Sequence, residues 1–171
     1  GGDGAIHHRK NVSNWVDFPV ETYKGVTYEM KSTDICANDD GGKTKEWADE
    51  NGYKLSSNND TGTDWSGMRD LDHSSENVQS IVKVYLDMLL NDFGYAGFRY
   101  DMVKGYSGKF TGIYNTAAKP TYSVGEYLDG DVSKVKNWLE STKVSEEITS
   151  AAFDFPIRYV VRDAITGQWS D

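Results

Sequence analysis

The sequence of 171 residues holds a single cysteine, Cys36, so no disulfide can close within it and the redox compartment is not legible from its thiols. Long apolar runs are missing as well. The best of them, IVKVYLDMLL, is interrupted by Lys83 and Asp87, which excludes a membrane span at that point. Positive charge is scarce: 18 Lys and Arg stand against 27 Asp and Glu, a formal net charge of −9. Nucleic acids and anionic membrane surfaces both need a basic footprint, so neither is expected as a partner. A neutral or cationic ligand suits the charge better. There is no low-complexity tract and no internal repeat beyond an alternation of strand-like and helix-like segments. No signal peptide opens the sequence, and GGDGAIHHRK reads like the inside of a domain.

What is present falls into two textures. Residues 10–70 are rich in Gly, Asn, Asp, Ser and Thr with scattered aromatics, and read as loops with small strands. ETYKGVTYEM, residues 21–30, is the best hairpin candidate. From residue 71 the pattern becomes regular. Ser74 or Ser75 can cap a helix with apolar positions Val78, Ile81, Val82, Tyr85 and Leu89, ending near Gly94. A strand around 96–101, a helix over about 107–118 and a strand over 121–126 follow. Asp131 or Ser133 caps a helix through Val132, Val135, Trp138 and Leu139. SAAFDF, residues 150–155, reads as another strand, and Pro156 sits in the first turn of a last helix.

Strands alternating with helices imply an α/β fold with a parallel sheet. Asp101, Glu126 and Asp154 stand at the C-terminal ends of three of these strands, the side where such sheets carry their ligands. Within YAGFRYDMVKGY, Arg99 and Asp101 are two residues apart and share one face of a strand. A salt bridge at a strand end explains that spacing, and so does a carboxylate held ionised for nucleophilic attack. Asp101 and Glu126 would face a common space. Glu126 follows Ser-Val-Gly with no cation beside it in sequence, so it reads as the protonated partner of the two. A pair of unlike carboxyls is the equipment of glycoside hydrolysis, although two carboxylates also suit a metal or simple pairing with lysines.

GFRYD resembles the strand-end motif G-F/W-R-x-D of the α-amylase family (glycoside hydrolase family 13). VGEYLDGD resembles the family's next motif, and DGAIHHR its D-x-V-x-N-H-R motif. STDICANDD and DTGTDWSGMRDLDH are similar to the loop domain of the plant-like branch. The resemblance implies Asp101 as nucleophile, Glu126 as general acid/base and Arg99 as the residue that orients Asp101. It places His8 and Lys104 on substrate hydroxyls, and Tyr106 is a candidate for stacking on a sugar face. The implied fold is a partial (β/α)8 TIM barrel of about four βα units with a long loop domain inserted after the first strand. The corresponding segments are 1–9 for a barrel strand around residues 3–6, 10–70 for the inserted domain and 71–171 for the barrel units.

The family's calcium set would fall on Asp60, Asp70, the carbonyls of Gly67 and Gly105, and His7. His7 departs from the family's Asn, and imidazole is a poor ligand for this hard cation. Two further departures stand out. A full barrel takes ~250 residues, and no F-x-D-N-H-D motif supplies the third catalytic carboxylate; Asp154 does not match it. The expectation is therefore an α-amylase-like retaining hydrolase of α-1,4-glucans such as starch and glycogen, carried as part of a longer enzyme. The alternatives are a catalytically incomplete glucan-binding or structural unit, and a transglycosylase or α-1,6-cleaving relative. Open sheet edges would be covered by further chain or by a second copy. A polymeric substrate implies an extracellular or periplasmic location.

Overall fold

A computed structural model describes residues 20–63 and 69–168, and the chain divides into two compact units between Tyr85 and Leu86. In the first unit the expected hairpin forms. Strands β1 (Val20–Tyr23) and β2 (Val26–Glu29) pair antiparallel, with Tyr23 opposite Val26. Lys24 and Gly25 between them take φ of 48° and 79°, the turn whose twist suits adjacent strands.

The segment read as loops and small strands also holds a helix, α1 (Lys43–Glu50). Its sequence is mostly charged and spans little more than two turns, too short for an apolar stripe to register. The two residues it buries, Thr44 and Ala48, are one turn apart. Ala48 joins Ile35 and Leu55 in a small core, and Trp47 stacks on Tyr53 beside it with ring centroids 5.3 Å apart.

Buried carboxylates extend that modest core. Asp34 accepts from Ser75 Oγ at 2.7 Å and Asn77 Nδ2 at 2.6 Å. Asp39 accepts from Arg69 Nη1 at 2.8 Å and the Asp70 amide at 2.9 Å, and Thr44 donates to it as well. Asp72 accepts from Ser56 Oγ at 2.7 Å and Asn58 Nδ2 at 2.9 Å. A carboxylate taken from water is tolerated when donors replace the lost hydration, and each of these three meets that condition.

Helix α2 (Glu76–Asn91) is capped by Ser75, whose hydroxyl accepts from the Val78 amide at 3.4 Å. The chain leaves it through Gly94 at φ 74°. The buried stripe differs from the one expected: Val78 and Leu86 are inside, whereas Tyr85 is 54% exposed. Residues 78, 82 and 86 are one turn apart, and a stripe along them turns Tyr85 outward.

The second unit is an α/β arrangement. Strands β3 (Gly97–Tyr100), β4 (Tyr122–Gly125) and β7 (Ala151–Ala152) form a parallel sheet in that order. Helix α3 (Gly108–Ala118) links β3 to β4. Helix α4 (Val132–Ser141) and a short hairpin, β5 (Lys143–Val144) with β6 (Glu147–Ile148), lead to β7. Asp131 caps α4 by accepting from the Ser133 amide at 2.8 Å. Val135 and Trp138 are the residues α4 buries. A Cβ at Gly125 would overlap the Trp138 indole, so glycine there lets the helix lie against β4.

The strand expected over 150–155 is only two residues long. Asp154 instead accepts from the Ile157 amide at 3.0 Å and caps helix α5 (Phe155–Ile165), so the chain has turned before a longer strand can pair. Helix α5 leaves Ile157, Val160, Val161 and Ile165 exposed. None of the described helices is long and apolar enough to cross a membrane. The strand expected at 3–6 lies outside the described residues.

Candidate active site

The site grows out of the β3–β4 register. Tyr100 pairs with Gly125, and the ladder runs one step further as the Glu126 amide donates to the Tyr100 carbonyl at 2.9 Å. Asp101 and Glu126 therefore leave the sheet side by side. Alternation returns Arg99 to the face of Asp101, with Arg99 Nη1 2.6 Å from Asp101 Oδ1. Arg99 also pairs with Val124, two residues before Glu126, and its Nη2 lies 2.9 Å from Glu126 Oε2. The expectation of a Glu126 without a nearby cation is thus corrected. Parallel pairing delivers to Glu126 a guanidinium that sequence adjacency could not show.

The two carboxyls differ in exposure, Asp101 at 61% and Glu126 at 23%. A hydrogen bond from Glu126 holds the Asp101 carboxyl below the usual carboxylate range; partial desolvation opposes this, and Arg99 reinforces it. The bond to Asp101 likewise raises the Arg99 guanidinium, which stays charged throughout.

Next to Asp101 the backbone turns sharply. Met102 takes φ 47°, a left-handed conformation uncommon outside glycine, and its amide points to Glu126 Oε2 at 3.4 Å. Phe153, just beyond β7, lies under Arg99 with its ring centroid 5.8 Å from the guanidinium carbon. Sequence reading did not single out Phe153. Its only signal was its place in the third strand segment.

Lys104 is held by Asp129 Oδ2 at 3.0 Å and the Leu128 carbonyl at 3.3 Å, over the Tyr127 ring. Asp129 belongs to the VGEYLDGD segment, where the resemblance gives it no role. The Asp131 amide, and then Lys104, draw its carboxyl down to about 2. Lys104 is thus anchored on the segment that follows Glu126. Tyr106 is half-buried, and burial pushes its phenol up to about 12. Gly105 closes the short 3-10 turn Val103–Gly105.

Of the expected calcium ligands, Asp60, Asp70 and Gly105 lie among the described residues, where no group of three or more His, Cys, Asp or Glu side chains gathers. Asp60 and Asp70 belong to the first unit, with the Asp60 amide donating to Asn38 Oδ1 at 2.7 Å and the Asp70 amide to Asp39. His7, His8 and Gly67 lie outside the described residues.

No protein-family model matches the sequence. The chain is 30% identical over 126 residues to "Probable alpha-amylase 2" of Arabidopsis thaliana, a match covering 66% of the chain and 30% of that protein. Against "Alpha-amylase 3, chloroplastic" of the same plant it is 26% identical, covering 69% of the chain and 14% of the relative. Against "Beta/alpha-amylase" of Paenibacillus polymyxa it is 29% identical, covering 72% of the chain and 9% of the relative. Among solved structures, an alpha-amylase from Malbranchea cinnamomea aligns with a TM-score of 0.48 at 23% identity, over 57% of the chain and 19% of that structure. The chain thus spans less than a third of each of these relatives. In sequence it is similar to amylase-named glycoside hydrolases over about two thirds of its own length.

Proposed function

We propose that the chain carries part of the catalytic centre of a retaining α-glucan hydrolase, within a longer enzyme built on a (β/α)8 barrel of the α-amylase family. The observation that carries this reading is the single guanidinium shared by an exposed Asp101, whose carboxyl is held below the usual range, and the less exposed Glu126. Asp101 attacks the anomeric carbon while Glu126 gives its proton to the leaving oxygen. Glu126 then takes a proton from water as the glycosyl ester is hydrolysed. Arg99 keeps Asp101 ionised and aimed. Two carboxyls bridged by one guanidinium fit the close spacing of retaining enzymes better than the wider one that leaves room for water. Lys104 and His8 bind hydroxyls of an α-1,4-glucan, Tyr106 borders the sugar, and Asp60 and Asp70 contribute to a calcium site with residues outside the described ones. The substrate class places the enzyme outside the cytoplasm, extracellular or periplasmic. The exposed apolar face of α5 supports coverage by further chain or by a second copy.

A second reading, a glucan-binding unit without turnover, is favoured by one observation. Asp154, the remaining carboxylate at a strand end, is engaged in capping α5. Release of reducing ends from soluble starch, beside an Asp101→Asn control, separates the two. Cutting by the wild type alone supports the hydrolase. Binding without cutting in either protein supports the second reading.

A further inference from the structure

At the end of the β3–β4–β7 sheet opposite Asp101 and Glu126 lies a cleft of about 420 Å³ that the reaction above leaves unused. Its size falls within the range of small-ligand sites, ~300–1,000 Å³. Lys119, Thr121, Tyr122, Ser145 and Glu147 line it, with Asn115 at its base. Asn115 is committed inward, accepting from Tyr100 Oη at 3.0 Å and donating to the Thr149 carbonyl at 2.8 Å. Among the described residues, none takes the side chains of Lys119, Thr121, Tyr122, Ser145 or Glu147 as a hydrogen-bond or ion-pair partner. The cleft therefore offers a cation, a carboxylate, hydroxyls and a phenol to whatever enters.

The walls are built at some cost to the backbone. Lys119 ends α3 at φ 55°, and Ser145 and Glu146 make the β5–β6 turn at φ 51° and 68°. All three are side-chain-bearing residues where glycine or asparagine would be the easy choice. Such conformations cluster where a surface is shaped for a ligand. The Tyr122 ring lies against Gly97, where a Cβ would fall 2.7 Å from Tyr122 Cδ1, yet the residue remains 61% exposed. One side of the ring is thus backed and the other available.

We infer that this cleft is a second saccharide subsite, holding a glucosyl unit of a glucan away from the carboxylate pair. A fully anionic ligand would meet Glu147, and a fully cationic one Lys119. A neutral polyhydroxyl ligand uses donors and acceptors together and lays an apolar C–H face on Tyr122. The choice of glucose units rests on the glucan reading above, whereas the cleft itself does not.

The test is an amide NMR titration of the full chain carrying Asp101→Asn, with maltotetraose as the probe and glycine as a zwitterionic control. Saturable shifts at Thr121, Tyr122, Ser145 and Glu147 are expected, weakened at least tenfold by Tyr122→Ala and by Glu147→Gln separately. Both variants alter exposed side chains, and their unshifted spectra elsewhere report that the fold is kept. No shift at the cleft, shifts unchanged in both variants, or shifts with glycine alone would overturn the inference. Starch cutting by the wild type is scored separately. Cutting without cleft shifts removes the subsite and keeps the hydrolase, and cleft shifts without cutting do the reverse.

Discussion

Arg99 Nη1 sits 2.6 Å from Asp101 Oδ1, and the other end of the same guanidinium holds Glu126. One cation thus serves two carboxyls. Asp101 is lowered first by the bond from Glu126 and then by Arg99. Carboxyl-carbon NMR titration should therefore show the Asp101 midpoint rising in Glu126→Ala and in Arg99→Gln. It should rise little in Glu126→Gln, which keeps a donor in place. Equal rises in both Glu126 variants would mean that the hydrogen bond contributes nothing.

Acid should weaken the first unit before the carboxylates of an unfolded chain titrate. Burial lowers the His73 imidazole from 6.5 to about 4, against the pull of Asp72. Between those values the unfolded state binds the proton and the folded state does not. Stability is thus whole above about pH 6.5 and declines as pH falls towards about 4, by on the order of 3 kcal/mol. Asp72 acts in the same direction lower down: despite desolvation, bonds from Ser56, Asn58 and Ser74 keep it below the ordinary value. Urea midpoints from pH 7 to pH 4 should fall for the wild type and flatten in His73→Gln.

Gly125→Ala should be costly for its size. The added methyl meets the Trp138 indole, and overpacking of this kind costs roughly 1–3 kcal/mol. Because Glu126 is the next residue, the carboxylate pair should be disturbed as well. Denaturant unfolding followed by tryptophan fluorescence reads the first effect, and the Asp101 titration reads the second.

Calcium, if bound through Asp60 and Asp70, should raise the unfolding temperature, by about 2.7 kcal/mol of stability at a hundredfold excess over Kd. Asp60→Asn with Asp70→Asn should abolish that rise. A thermal midpoint insensitive to calcium and to chelator in the wild type would remove the ion from the proposed function.

Much of the regular second half was legible because its signals are local. Capping by Ser75, Asp131 and Pro156's helix start, and the alternation through GFRYD, depend on neighbours a few residues apart. The pairings that escaped notice join residues far apart along the chain. Lys104 finds Asp129 and Arg99 finds Glu126, each across a βα unit, and no spacing rule carries such pairs. Helix α1 was missed for another reason: its hold comes from Ala48 in a core shared with Ile35 and Leu55, not from its own periodicity.

The parallel ladder that sets Tyr100 against Gly125 has a consequence for how the site can vary. Pairing moves in whole residues, and a slip of one would send Asp101 or Glu126 to the opposite face. The separation of the two carboxyls is thus a stepped quantity rather than a continuous one. Insertions in the crossover through α3 leave it untouched, whereas a single residue gained or lost within β3 or β4 erases the site outright.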